Sequence, residues 1–123
     1  MKVAITSQGP ELSSQTDPRF GRAAWVVIID PETKEFEAVD NSVNVNAFKG
    51  AGIQAATLIA DKGADVLMTG HCGPNAFNTL NAAGVKVVNG ISGTVEETLE
   101  KFIAGGIEYA RDANVEGHAG QNG

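Results

Sequence analysis

Short apolar runs recur along the chain, separated by polar or glycine-bearing breaks, and their lengths sort them into strands and helices. Lys2–Ser7 is a β-branched run that predicts an opening strand. Trp25–Asp30 is almost continuously apolar, the pattern of a strand covered on both faces. Pro31-Glu32-Thr33-Lys34 interrupts it, and Glu35–Asp40 returns as a second strand, which together predict a hairpin. From about Ala47 to Lys62 the period changes. Phe48, Gly52, Ala55 and Ile59 fall on one helical face, flanked by Ala51, Ala56 and Leu58, and Gly63 marks the stop. Asp65–Met68 is a short strand. A helix over Pro74–Ala83 buries Phe77 and Leu80 and ends at Gly84, and Val85–Val88 is a fifth strand. Thr94-Val95-Glu96-Glu97 has the form of a capping box, with Val95, Leu99 and Phe102 as the buried stripe of a last helix. Beyond Arg111 the chain turns rich in Gly, Ala and Asn, so the expected organisation is one domain over residues 1–110 and a flexible tail over 111–123.

Strand, hairpin, helix, strand, helix, strand, helix is an α/β order with a mixed sheet. Right-handed crossovers place helices on both faces. Ligands of such sheets sit beyond the carboxyl ends of the parallel strands, where the order changes direction. The segments Ser7–Arg22, Asn41–Lys49, Thr69–Asn75 and Asn89–Gly93 are expected to open at that rim.

Composition narrows the partners. The chain of 123 residues carries 15 Asp+Glu against 9 Lys+Arg, a formal charge of −6, which disfavours nucleic acid as a general partner. No apolar run is long enough to span a membrane. A single cysteine excludes an internal disulfide framework and suits a reducing compartment. The start, Met1-Lys2-Val3-Ala4-Ile5, reads as a strand and has no signal-peptide pattern, so a cytoplasmic monomer is expected.

Candidate chemistry concentrates in Thr69-Gly70-His71-Cys72-Gly73-Pro74-Asn75. Gly70 and Gly73 permit close approach or positive φ. Pro74 suits a first helical position. The helix N-terminus beyond the loop favours an anion, and Cys72 with His71 adds soft-metal donors. These features together predict a berth for a negatively charged, metal-containing group. Cys72 reads either as a thiolate ligand, its pKa lowered by the helix N-terminus, or as a small buried hydrophobe. His71 reads as a ligand, as a donor to a sulfido group, or as a polar loop residue. Two adjacent ligands fall short of a tetrahedral zinc site, so a cluster bringing its own sulfides fits better. Arg19 and Arg22, in Asp17-Pro18-Arg19-Phe20-Gly21-Arg22, read as partners of an anionic cluster or as salt-bridge formers, with Asp17 the nearest carboxylate. Lys49 is a further positive charge or a solvated lysine. Asn44 and Asn46 are donors to sulfides or turn formers, and Asn75 is a ligand contact or a local cap. Phe20 and Trp25 read as core or anchor residues, and His118 as a late ligand from the tail.

These residues support a family resemblance. The chain resembles the dinitrogenase iron–molybdenum cofactor-binding family over about residues 1 to 105. It does so through the opening strand, Asp17-Pro18-Arg19-Phe20-Gly21-Arg22, Gly50-Ala51-Gly52, Gly70-x-x-Gly73-Pro74-Asn75-Ala76-Phe77-x-x-Leu80 and Ala83-Gly84-Val85-Lys86-Val87. It is similar to the small stand-alone members that carry a molybdenum–copper cluster. The resemblance implies an RNase H-like fold with a five-stranded mixed sheet. It also implies non-enzymatic carriage of a metal–sulfur cluster, Mo/Fe or Mo/Cu, which can be absent from the purified protein. A cluster-donor or acceptor protein would then be the partner.

Rival classes fit less well. The first strand, Lys-Val-Ala-Ile-Thr-Ser, lacks the carboxylate that a magnesium-dependent nuclease needs there. Adjacent Cys and His on a tight turn diverge, against a nucleophile–base pair. The glycine loop matches neither phosphate-binding fingerprint, which weakens a nucleotide or phosphate binder. A small regulatory or interaction module without a cluster is the remaining alternative.

Overall fold

In the computed structural model, residues 1–42 and 51–110 are described. The expected Asn44, Asn46, Lys49 and His118 therefore lie outside the described residues, as do the proposed tail, Phe48 and the predicted start of the first helix. The strands are β1 (Val3–Ser7), β2 (Trp25–Ile29), β3 (Phe36–Asp40), β4 (Val66–Met68) and β5 (Lys86–Val88). The helices are α1 (Ala51–Asp61), α2 (Pro74–Ala82) and α3 (Val95–Ile103). The five strands form one mixed sheet in the order β3-β2-β1-β4-β5. β1 runs antiparallel to β2 and parallel to β4, and β4 is parallel to β5.

Each strand forms where the side-chain pattern demands cover. All five residues of β1 are buried, because the strand is central and has helices over both faces. The alternation divides the core into two layers. Ala4, Val26, Ile28, Leu67 and Val87 face α1 and α2, meeting Ala55, Ile59, Phe77 and Leu80. Val3, Ile5, Val27, Ile29 and Met68 face α3, meeting Val95 and Leu99. The β2–β3 hairpin closes through Asp30, whose carboxylate accepts from Glu32 N at 2.9 Å, while Lys34 takes φ 65°. Trp25, expected in the core, is half-buried at the start of β2. Phe36 is 42% exposed because β3 is an edge strand.

α1 and α2 pack closely because Gly52 removes a side chain at their crossing. A Cβ there would stand 3.2 Å from Ala76 Cβ. The capping box of α3 is present as predicted: Glu97 N donates to Thr94 Oγ1 at 3.1 Å, and Thr94 N donates to Glu97 Oε1 at 2.8 Å. After α3 the chain turns at Gly105, φ 82°, and crosses to the β5 edge, where Ala110 N donates to Val87 O at 2.6 Å.

The chain lays down β1, β2 and β3 to one side of the sheet and then β4 and β5 to the other. The direction of construction therefore changes between β1 and β4, and the carboxyl ends of these two strands mark the place for a site.

Candidate binding rim at the ends of β1 and β4

At the carboxyl end of β1, Thr6 lies level with Thr69, the first residue after β4, and their hydroxyls are 3.0 Å apart. Thr6 Oγ1 also donates to Asp17 O. A hydroxyl has one proton, so Thr69 supplies the hydrogen of the Thr–Thr bond. Both threonines are fully buried, and the pair ties three segments to one point: β1, the loop after β4, and the arginine-bearing loop. Asp17 N returns a bond to Thr6 O at 2.9 Å.

The long segment 8–22 is held in place by these and similar bonds. It folds back along β1 through a Ser7–Thr16 bridge, and Thr16 N donates to Gly93 O at 2.9 Å. It then runs beside the glycine loop, with Arg19 bridged in parallel to His71 and His71 N donating to Pro18 O at 2.9 Å. Gly90 N donates to Gly70 O at 2.8 Å and Ile91 N to Thr69 O at 3.2 Å. Three of the four predicted rim segments are thus joined through their backbones, and the fourth, Asn41–Lys49, is described only at its first two residues. Asn41 is 1% exposed and donates to Ala23 O at 2.8 Å, which fixes the turn after Arg22.

Gly70 is glycine because of close approach. A Cβ there would lie 2.4 Å from Pro18 Cα and 2.6 Å from Pro18 O. Gly73, the N-cap of α2, has φ −69°, and a Cβ there would meet nothing within 4 Å, so neither reason applies to it among the described residues. Pro74 occupies the first turn of α2, and no side chain caps the helix. Asn75 is exposed within that turn and is not the cap. A cleft of about 250 Å³ opens at this end, lined by Phe20, Gly52, Ile53 and residues 73–76. Two larger hollows, about 280 Å³ beside α3 and 440 Å³ beside the β5 edge, contain none of the predicted site residues.

The predicted donors separate into two groups. Arg19, Arg22 and His71 are exposed on the rim. The Arg19 guanidinium grips Asp17 side-on, Nε to Oδ1 at 3.1 Å and Nη2 to Oδ2 at 3.1 Å. That hydrogen bond and the adjacent charge hold Arg19 more firmly in its cationic form. Arg22 N donates to Arg19 O at 3.2 Å, so the two arginines share one tight turn. Cys72 behaves otherwise. The helix N-terminus predicts a lowered thiol pKa; instead the side chain is 0% exposed among Phe20, Ala76 and Phe77, and burial pushes the thiol up to about 12. Desolvation outweighs the helix dipole because the sulfur points into the apolar layer beneath the loop. In this arrangement the thiol is enclosed and neutral, packed beneath the loop and away from the exposed rim residues.

Among the described residues, no three His, Cys, Asp or Glu side chains gather closely enough to hold a bare metal ion. No described helix is long and apolar enough to cross a membrane. The Thr6–Thr69 pair and Asn41 carry only a faint signal in the sequence. Their signal was polar residues at the ends of apolar strands, where a hydroxyl or amide can serve two loops at once.

The fold and rim define a class: a small α/β domain with an arginine turn clasped against a glycine loop at the switch point of its sheet. A family model described as dinitrogenase iron-molybdenum cofactor matches residues 1–105, and the chain belongs to that family. The apo form of the orange protein from Desulfovibrio gigas is 43% identical and superposes with a TM-score of 0.90, covering 93% of this chain and 96% of that one. A putative NifB protein from Thermotoga, solved by NMR, is 38% identical with a TM-score of 0.80, covering 94% and 98%. An uncharacterized protein of Methanocaldococcus jannaschii is 28% identical over 111 residues, 88% of this chain and 90% of its own. Family and neighbours support a cofactor-binding or carrier role.

Proposed function

We propose that the chain is a non-catalytic carrier of a preformed anionic metal–sulfur cluster containing molybdenum, with iron or copper. It would act in the assembly, storage or delivery of that cluster, in the cytoplasm, as a monomer that exchanges cargo with a donor or acceptor protein. The observation that carries this reading is the clasp of Arg19 against His71, which collects cationic and imidazole donors on one rim of a chain with formal charge −6. A preformed cluster brings its own sulfide bridges, so the protein need supply only charge, hydrogen-bond donors and shape. Arg19 and Arg22 would pair with the anion, and His71 would donate to a sulfide or ligate an outer metal. Gly70, Gly73 and Asn75 would supply close backbone approach, and Asn44 and Lys49 would add donors from the adjoining segment. Cys72, by its burial, would serve as packing under the loop.

The test uses tetrathiomolybdate, with and without copper(I), as the probe. Titration followed by visible absorbance, gel filtration and elemental analysis is expected to show a stoichiometric complex that Arg19→Gln with Arg22→Gln weakens by about tenfold or more, as lost charge-assisted bonds would. Inorganic phosphate at millimolar concentration is not expected to displace it. No uptake by the native protein, or equal competition by phosphate or ATP, would overturn the cluster reading.

A further inference from the structure

We infer that Asp17 is a positioning residue for anion capture: its buried carboxylate locks Arg19 so that the remaining guanidinium N–H groups face the cargo. The inference rests on the anion-binding reading of the rim and goes beyond it by assigning a role to an acidic residue.

A carboxylate beside an anion site is unfavourable by charge alone, so its presence calls for a geometric reason. Asp17 is 2% exposed. Its backbone is tied to β1 at both ends, N donating to Thr6 O at 2.9 Å and O accepting from Thr6 Oγ1. Its position is therefore set by the central strand rather than by the loop. Among the described residues, every hydrogen bond to its carboxylate comes from Arg19: backbone N at 2.9 Å, Nε at 3.1 Å and Nη2 at 3.1 Å. This side-on pairing uses two of the five guanidinium N–H groups. The other three lie away from Asp17, and the Arg19 side chain is 61% exposed against 3% for Asp17. An unpaired arginine would sample many rotamers and lose that freedom on binding, whereas a pinned one has already lost it. Asp17 thus carries the strand's rigidity out to the donor edge of Arg19.

Two mechanisms give opposite signs for Asp17→Asn. If the carboxylate acts only as a charge, its removal strengthens anion binding, by about two- to fivefold for a partly screened pair. If it positions Arg19, binding weakens by about tenfold, the value of a lost charge-assisted constraint. Tetrathiomolybdate affinity is measured for the native protein, Asp17→Asn, Arg19→Gln and the double variant, with a urea midpoint for each. The expected result is weaker binding by Asp17→Asn despite its gain in net charge, and a double variant no weaker than Arg19→Gln alone. Equal or tighter binding by Asp17→Asn overturns the inference while leaving the cluster reading intact. So does a full additional loss in the Arg19→Gln background, because Asp17 would then act on the loop and not through Arg19. If the native protein takes up no probe, the cluster reading itself fails and the inference falls with it. Should Asp17→Asn melt below the assay temperature, Asp17→Glu carries the same test. Charge is unchanged there, so weaker binding supports positioning and unchanged binding overturns it.

Discussion

Replacing Gly70 by alanine tests how the two loops of the rim are held together. The added Cβ would stand 2.4 Å from Pro18 Cα, 2.5 Å from Pro18 Cβ and 2.6 Å from Pro18 O. Carbon atoms rest about 3.5–4.0 Å apart, so the loops must separate by roughly 1 Å or more. The adjacent bond from His71 N to Pro18 O, 2.9 Å in the native chain, would then exceed hydrogen-bonding distance. Overpacking of this kind costs about 1–3 kcal/mol. The lost bond adds about 0.5–1.5 kcal/mol. The stiffer unfolded chain returns about 0.4–1 kcal/mol. The net loss is about 1–4 kcal/mol, centred near 2 to 3, against a total of about 5–15 for a domain. With a urea slope of about 1–3 kcal/mol per molar, the midpoint should fall by about 1 M. Gly106→Ala is the control: nothing lies within 4 Å of its added carbon and its φ is not in the left-handed region, so only the unfolded-chain gain acts and its midpoint should hold or rise by a few tenths of a molar. Equal midpoints for Gly70→Ala and Gly106→Ala, with unchanged thiomolybdate uptake, would refute the idea that contact with Pro18 sets the register of the rim.

Other expectations concern single groups. Because burial raises the Cys72 thiol to about 12 in the folded chain, the unfolded chain releases that proton first. Stability is therefore full below the ordinary thiol pKa, about 8.5, and declines by up to about 1.4 kcal/mol per pH unit between there and about pH 12. Urea midpoints at pH 8 and pH 10 should show this decline, and the decline should be smaller in Cys72→Ala. The same burial predicts slow reaction of native Cys72 with a thiol reagent and rapid reaction in denaturant. A fast native reaction would show that the loop opens readily. Thr94→Ala should cost about 1 kcal/mol by removing the cap of α3, measured as a lower melting temperature. Thr69→Val keeps the shape but leaves Thr6 without its second partner, and should lower the melting temperature while disturbing rim amide resonances more than those of α3.

The five strands and three helices were legible because each is short and uniformly patterned. The capping box at Thr94 and the stop at Gly84 fixed their ends by local chemistry alone. The convergence of loops was legible from element order, since parallel strands must present their carboxyl ends together. The direction of the Cys72 side chain was not. Whether a residue two steps before a helix points outward or into the core depends on the angle at which that helix meets the sheet. Here it joins the buried layer that also holds Phe20, Ala76 and Phe77. Asp17 was visible as a neighbour of Arg19, but its burial depends on Thr6, eleven residues earlier, and no local pattern announces that contact. The likeness in Arg-Phe-Gly-Arg and Gly-Pro-Asn fell on two loops that the fold joins through their backbones, without distinguishing exposed residues from packing residues.

The segment that crosses from α3 to Val87 has a consequence for how the domain meets its neighbours. β5 has only three residues and would otherwise present an open row of backbone acceptors and donors. Ala110 occupies part of that row, while the opposite border strand carries Glu37, held to Lys62 at 2.9 Å. A foreign strand seeking to extend the sheet must evict the domain's own chain on one flank or meet the Glu37–Lys62 ion pair on the other. Deleting residues beyond Ile107 should therefore show first as concentration-dependent association, before any loss of melting temperature.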